Sequence, residues 1–211
     1  MFPGKPIIEI KGLKRRFEKN WALQGIELQI EKGELFGIVG PDGSGKTTLL
    51  QSVCAILDPT EGSITVNGFD SVKDAPLITS GLGYMSQAYS LYGDLTVEEN
   101  LEFFAKIRGV PEASFIERKK KLLEFSDLTP FLKRRTKHLS GGMQKKLALC
   151  SNLVHEPDIL ILDEPTLGVD PISRRQLWDI IREYHDRGKT IIVATSYMDE
   201  AARCERVAFL L

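Results

Sequence analysis

The chain has 211 residues, 42% hydrophobic and 27% charged, with 28 Lys and Arg against 29 Asp and Glu for a net charge of -1. At roughly 100–200 residues per domain this fits one core, with or without an insertion, and the composition excludes a disordered, collagen-like or disulfide-scaffold chain. Charge balance supplies no overall field toward nucleic acid or an anionic surface, and no stretch reaches the ~18–20 apolar residues that a membrane helix needs.

In chain order, short β-branched runs bounded by glycine predict strands over 7–13, 25–30, 35–39 and 63–66. The third is almost continuously apolar and runs through a glycine cluster into KTTLLQSVCAIL, predicting strand, loop and helix in that order. From about Gln87 to Val154 the period becomes helical, with helices over 96–108, 113–125 and 141–154, the first capped by Thr96. Then follow a buried strand over 159–162, an amphipathic helix over 171–186, a strand over 191–194 and a last strand over 206–211. The expected fold is therefore α/β, a mainly parallel sheet flanked by helices, with a helical subdomain over 87–154 inserted into a core formed by 1–86 and 155–211. The final VAFLL is apolar with nothing after it to cover it, so further residues are expected in the natural protein. Cys54, Cys150 and Cys204 show no CxxC or His spacing, which suits reduced packing thiols in a cytoplasm-like compartment rather than zinc.

Gly40-Pro41-Asp42-Gly43-Ser44-Gly45-Lys46-Thr47 fits G-x-x-x-x-G-K-[ST], followed by Thr48. Its glycines let successive N–H groups face phosphate oxygens, the following helix adds its positive dipole end, Lys46 suits the β- and γ-phosphates, and the Thr47 hydroxyl suits Mg²⁺. Ile159-Leu160-Ile161-Leu162 carries Asp163 to a strand end, where it can hold Mg²⁺, and Glu164 can polarise an attacking water. Leu139-Ser140-Gly141-Gly142-Met143 opens a helix; by itself it reads first as an ordinary Ser140 cap, and alternatively as a second anion site at the helix start, where Gly141 and Gly142 allow close approach.

Together these motifs resemble the nucleotide-binding domain of ATP-binding cassette (ABC) transporters, a P-loop NTPase, over essentially the whole chain. The resemblance implies an N-terminal antiparallel β region, ATP and Mg²⁺ as cofactors, and ATP hydrolysis coupled to transport. By it LSGGM is the signature that completes a partner domain's ATP site. Phe17 takes the position of the aromatic that stacks on adenine, although alone it is equally a core Phe. Gln87 takes that of the glutamine contacting Mg²⁺ and the attacking water. Gly168-Val169-Asp170 matches the loop that crosses the dimer interface, although Asp170 before Pro171 is also a good helix start. Ser196 stands where the family usually has a histidine touching the γ-phosphate; a shorter, uncharged hydroxyl is the weaker partner. His138, His155 and His185 are expected at the surface and too distant in sequence to substitute.

LYGDLTVEENLEFFAKIRGV and DEPTLGVDPISRR are similar to type-2 exporters of drugs, small hydrophobic compounds or polysaccharides. GPDG with TSYMDEA is similar to multidrug exporter ATPases that carry two cassettes in one polypeptide. The implied partners are a second nucleotide-binding domain, identical or fused, and an integral membrane subunit, with no nucleic acid, at the cytoplasmic face of the cell membrane. The alternatives are a cassette that binds ATP but splits it poorly, because of Ser196, and a non-transport ABC ATPase. Between Glu117 and Lys146 ten Lys and Arg face three Asp and Glu, a solvated helical face or a contact with anionic lipid.

Overall fold

The computed structural model describes residues 5–88 and 90–211. The chain opens with a hairpin, β1 (Ile8–Phe17) and β2 (Asn20–Ile30), then β3 (Leu35–Val39), α1 (Lys46–Val53), β4 (Glu61–Val66), β5 (Phe69–Asp70), α2 (Ala75–Gly81) and β6 (Leu82–Met85). Three helices follow, α3 (Val97–Ile107), α4 (Glu112–Phe125) and α5 (Gly141–Leu153), and then β7 (Ile159–Asp163), α6 (Pro171–Asp186), β8 (Thr190–Thr195), α7 (Met198–Ala201) and β9 (Arg206–Phe209).

Two sheets result. The first is antiparallel in the order β2-β1-β4-β5; the second is wholly parallel in the order β6-β7-β8-β3-β9. The expected combination of a parallel sheet, flanking helices and an N-terminal antiparallel region is thus present. Period-2 alternation sends side chains of the parallel strands into two cores. Ile38, Ile161 and Ile192 join the antiparallel sheet and α1, while Leu160, Leu162, Ile191 and Val193 join α5 and α6 around Trp178. A third core, including Val97, Leu101, Phe115, Leu147 and Cys150, holds α3, α4 and α5 together.

Helix ends follow the anticipated chemistry. Thr96 and Glu99 form a reciprocal capping box on α3, and Asp170 accepts from Ile172 N and Ser173 N at the start of α6. Several boundaries differ. The strand expected over 7–13 continues to Phe17, and the one expected over 25–30 begins at Asn20, because the hairpin is longer than its apolar stretch. The helix expected through 57 stops at Val53, where Cys54 caps it and Ala55 turns to φ 55°. The last strand ends at Phe209. Among elements not anticipated, β6 reads poorly as a strand because of Gly83, yet a Cβ there would lie 2.9 Å from Asn152 O and 3.0 Å from Leu160 Cδ1. Cys54 and Cys150 are buried, Cys204 is partly so, and all three are free; burial pushes the Cys150 thiol up to about 11.

His138 is exposed as expected, but His155 and His185 are half-buried. Each bonds a backbone carbonyl, Leu82 O at 3.3 Å and Gly33 O at 2.9 Å. Both serve packing.

Candidate functional site

Three adjacent strand ends bring the site together. β8 lies between β3 and β7, with Val39 opposite Thr195 and Asp163 opposite Ala194. Gly40, Ser196 and Glu164 therefore leave the sheet side by side at its carboxyl edge, where open α/β sheets bind ligands.

From β3 the chain enters the glycine loop. Gly40 is buried, and a Cβ there would lie 2.2 Å from Leu210 O and 2.6 Å from Ser44 Oγ. Gly43 and Gly45 take φ 83° and 98°, left-handed values that favour glycine. Gly45 is the N-cap of α1, which has no side-chain cap and no acid in its first turn. The helix thus offers its leading amides and positive dipole end to an anion. Pro41 and Asp42 form the exposed rim and Thr48 is half-buried. Lys46 is buried; its Nζ donates to Gly40 O at 2.7 Å and Pro41 O at 3.1 Å, and pairs with Glu164 Oε1 at 3.3 Å. Within the chain these two buried charges neutralise each other.

The Thr47 hydroxyl donates to Asp163 Oδ2 at 2.8 Å. Burial holds the fully buried Asp163 carboxyl above the usual carboxylate range, against the pull of the Thr47 hydrogen bond, Lys46 and Lys145. Its Oδ1 is buried with no hydrogen-bond partner. An unpartnered buried oxygen on a desolvated carboxylate, next to a hydroxyl, suits a hard divalent cation. Thr47 and Asp163 therefore fit Mg²⁺. Among the described residues no group of three or more His, Cys, Asp and Glu could hold a metal.

Glu164 is 4% exposed and takes φ 48°, a left-handed conformation that costs a non-glycine residue about 1–2 kcal/mol. Its N–H still donates to Ala194 O at 2.9 Å. The exposed Ser196 places its Oγ 3.5 Å from Glu164 Oε2. Gln87 is exposed in the segment after β6, and its carbonyl accepts from Lys145 Nζ at 3.4 Å. Next to it opens a cleft of about 150 Å³ lined by Tyr84, Ser86, Leu91, Phe104, Arg108 and Asn152, among others. A larger cleft of about 400 Å³, between α4 and α6, shares no residue with the glycine loop.

Ser140 does cap α5, its Oγ accepting from Met143 N at 3.3 Å. Ser140 and Gly141 are exposed at the tip. Gly142 is buried against α6, where a Cβ would lie 2.4 Å from Ser173 Oγ and 2.6 Å from Ser173 Cβ. Phe17 is 43% exposed at the β1–β2 hairpin tip, so it is not a core residue. Arg15 lies over its ring at 4.8 Å.

Sequence reasoning missed the groups that brace this site. Glu200 is fully buried; the Thr166 hydroxyl donates to its Oε1, the Thr195 hydroxyl to its Oε2 at 2.9 Å, and Arg174 lies 3.8 Å away. Arg174 also stacks on Tyr197 at 4.5 Å. The ends of β7 and β8 and the start of α6 are thereby joined. Nothing in the alternation of apolar residues marks a carboxylate for burial, so only the three-dimensional meeting of Thr166, Thr195 and Arg174 reveals Glu200.

A parallel sheet whose strand ends converge on a glycine loop, an uncapped helix start, a hydroxyl and a buried carboxylate is the architecture of a P-loop nucleotide-binding domain. The chain belongs to the ABC transporter family, whose profile matches residues 23–167. It is 45% identical over 206 residues to the probable multidrug ABC transporter ATP-binding protein YbhF of Escherichia coli K12, covering 97% of this chain and 36% of YbhF. It is 32% identical to the linearmycin resistance ATP-binding protein LnrL of Bacillus subtilis, covering 97% of this chain and 66% of LnrL. The chain thus spans about a third of YbhF and about two thirds of LnrL. Among solved structures it is similar to the dimeric post-hydrolysis state of the ATP-binding cassette MJ0796 bound to ADP and Pi. The TM-score is 0.87 and the identity 26%, covering 96% of this chain and 94% of that one.

Proposed function

We propose that this chain is the ATP-hydrolysing motor cassette of an exporter for drug-like or other small substrates. The observation that carries the reading is the convergence of Lys46, Thr47, Asp163 and Glu164 at neighbouring strand ends, with Thr47 bonded to Asp163 and Lys46 paired with Glu164. Triphosphate oxygens replace Glu164 as the partner of Lys46, which frees the carboxylate to accept a proton from the attacking water. The loop amides and Lys46 hold the phosphates, Phe17 stacks on adenine, Thr47, Asp163 and Gln87 would hold Mg²⁺, and Gln87 also contacts the attacking water. The metal supplies charge neutralisation on the phosphates. Ser196 sits beside Glu164 as a hydroxyl donor to the γ-phosphate.

In this reading residues 87–154 form the signature subdomain and 1–86 with 155–211 the core. Two cassettes pack so that Ser140, Gly141 and Gly142 of each grip the nucleotide held by the other's glycine loop, and closure drives transport. The cleft beside Gln87 suits docking of an integral membrane subunit, which places the cassette at the cytoplasmic face of the membrane. The names of YbhF and LnrL support drug export. Four of the ten Lys and Arg of the basic stretch are ion-paired, Lys119 with Glu98, Lys121 with Glu117, Arg118 with Glu156 and Lys137 with Asp94, which weakens any pull on nucleic acid.

Ser196 supports a second reading, a slow site in an asymmetric pair of non-identical cassettes. ATP turnover of the assembled transporter separates the two. Loss of the base in Glu164→Gln is expected to lower turnover about 10²-fold or more, and Ser196→His to raise it if the serine limits the site. Unchanged turnover in Glu164→Gln refutes the motor assignment.

A further inference from the structure

Lys145 lies on α5, five residues beyond Ser140 and about 7.5 Å along the helix, and is only 5% exposed. Its ammonium donates to Glu164 O at 3.2 Å and Gln87 O at 3.4 Å. These are the carbonyls of the two residues to which the proposed function gives the water. Glu164 O also accepts from Leu167 N at 3.2 Å, and with φ 48° this peptide is held in a strained orientation. Such strain persists where surrounding bonds over-determine it, and Lys145 supplies one of those bonds from another structural unit.

We propose that Lys145 is a positioning residue that couples the signature tip of α5 to the chain's own Gln87 and Glu164. α5 is a continuous 13-residue helix, so a displacement of its tip by a nucleotide on a partner cassette moves Lys145 with it. The two carbonyls follow, and occupancy of one site thereby sets the alignment of the water-activating groups in the other. Burial lowers the pKa of this amine, and nearby Asp163 and Glu164 oppose that shift.

The inference rests on the reading of Glu164 as the residue that activates water, and the test keeps the two apart. ATP turnover and KM are measured on the complete transporter carrying Glu164→Gln, Lys145→Met or Lys145→Arg, with thermal melting of each. Lys145→Met keeps the stem and removes the donors, and is expected to lower kcat about ten- to a hundredfold with KM and melting temperature near wild type. Lys145→Arg keeps charge and donors and is expected to recover most of kcat. If Glu164→Gln turns over normally, the reading of Glu164 fails and the inference with it. If Glu164→Gln is inactive, the inference alone is overturned by any of three results: normal kcat in Lys145→Met, a parallel rise in its KM, or no recovery by Lys145→Arg when all variants melt normally.

Discussion

At the scale of single residues, Asp163 is stabilised for binding rather than for folding. Its carboxyl sits above the 3.8 expected of an unfolded chain because burial outweighs Thr47, Lys46 and Lys145. The folded chain therefore keeps a proton that the unfolded chain has released. Stability falls as pH rises through that window, and above it the full penalty remains. Asp163→Asn keeps the oxygen that accepts from Thr47 and removes the charge. It is expected to raise the melting temperature of the nucleotide-free protein at pH 7 and to abolish the further rise produced by Mg-ATP. Thermal melts with and without Mg-ATP check both parts. His155 carries the opposite sign. Burial, with Arg108 second, lowers it from 6.5 to about 4, so the unfolded chain takes up a proton that the fold refuses. Stability is lost as pH falls from about 6.5 to about 4. His155→Gln should flatten that part of a urea-midpoint profile against pH; an unchanged slope would assign the loss to other groups.

At the scale of elements, the contact of α5 with α6 is set by one missing side chain. A methyl on Gly142 would meet Ser173 Cβ at 2.6 Å, far inside van der Waals contact, so α5 must shift or tilt. Gly142→Ala is expected to reduce ATP turnover of the assembled transporter strongly while leaving nucleotide binding to the isolated chain intact, and adding Ser173→Gly to restore part of the loss. Titration calorimetry and turnover, measured on the same two variants, check this. These elements also show what the sequence makes legible. The glycine loop, the strand ending in Asp163 and Glu164, and the caps at Thr96, Ser140 and Asp170 each lie within a few consecutive residues, so local chemistry exposes them. β6 is hidden because its glycine serves packing against Asn152 and Leu160, and β5 is too short to carry a period. Glu200 and Lys145 are hidden for a different reason. Their roles depend on partners 34 residues away at Thr166, and 58 and 19 residues away at Gln87 and Glu164.

At the scale of the whole molecule, the antiparallel sheet packs on the parallel sheet through a shared core and meets the phosphate-binding helix at a close approach. Gly45, which starts the phosphate-binding helix, leaves no room for a side chain against β2, since a Cβ would lie 2.6 Å from Ala22 O and 3.0 Å from Leu23 Cδ2. On the proposed function, the hairpin tip at Phe17 and the loop that ends in Thr47 would act as the two jaws of a caliper whose gap is set by that glycine. A ligand reaching only one jaw, such as inorganic tripolyphosphate, should bind far more weakly than ATP, and widening the gap with Gly45→Ala should erode the preference for a base at the far end. On that reading, recognition of the nucleotide would be a measurement of length, made before any chemistry begins.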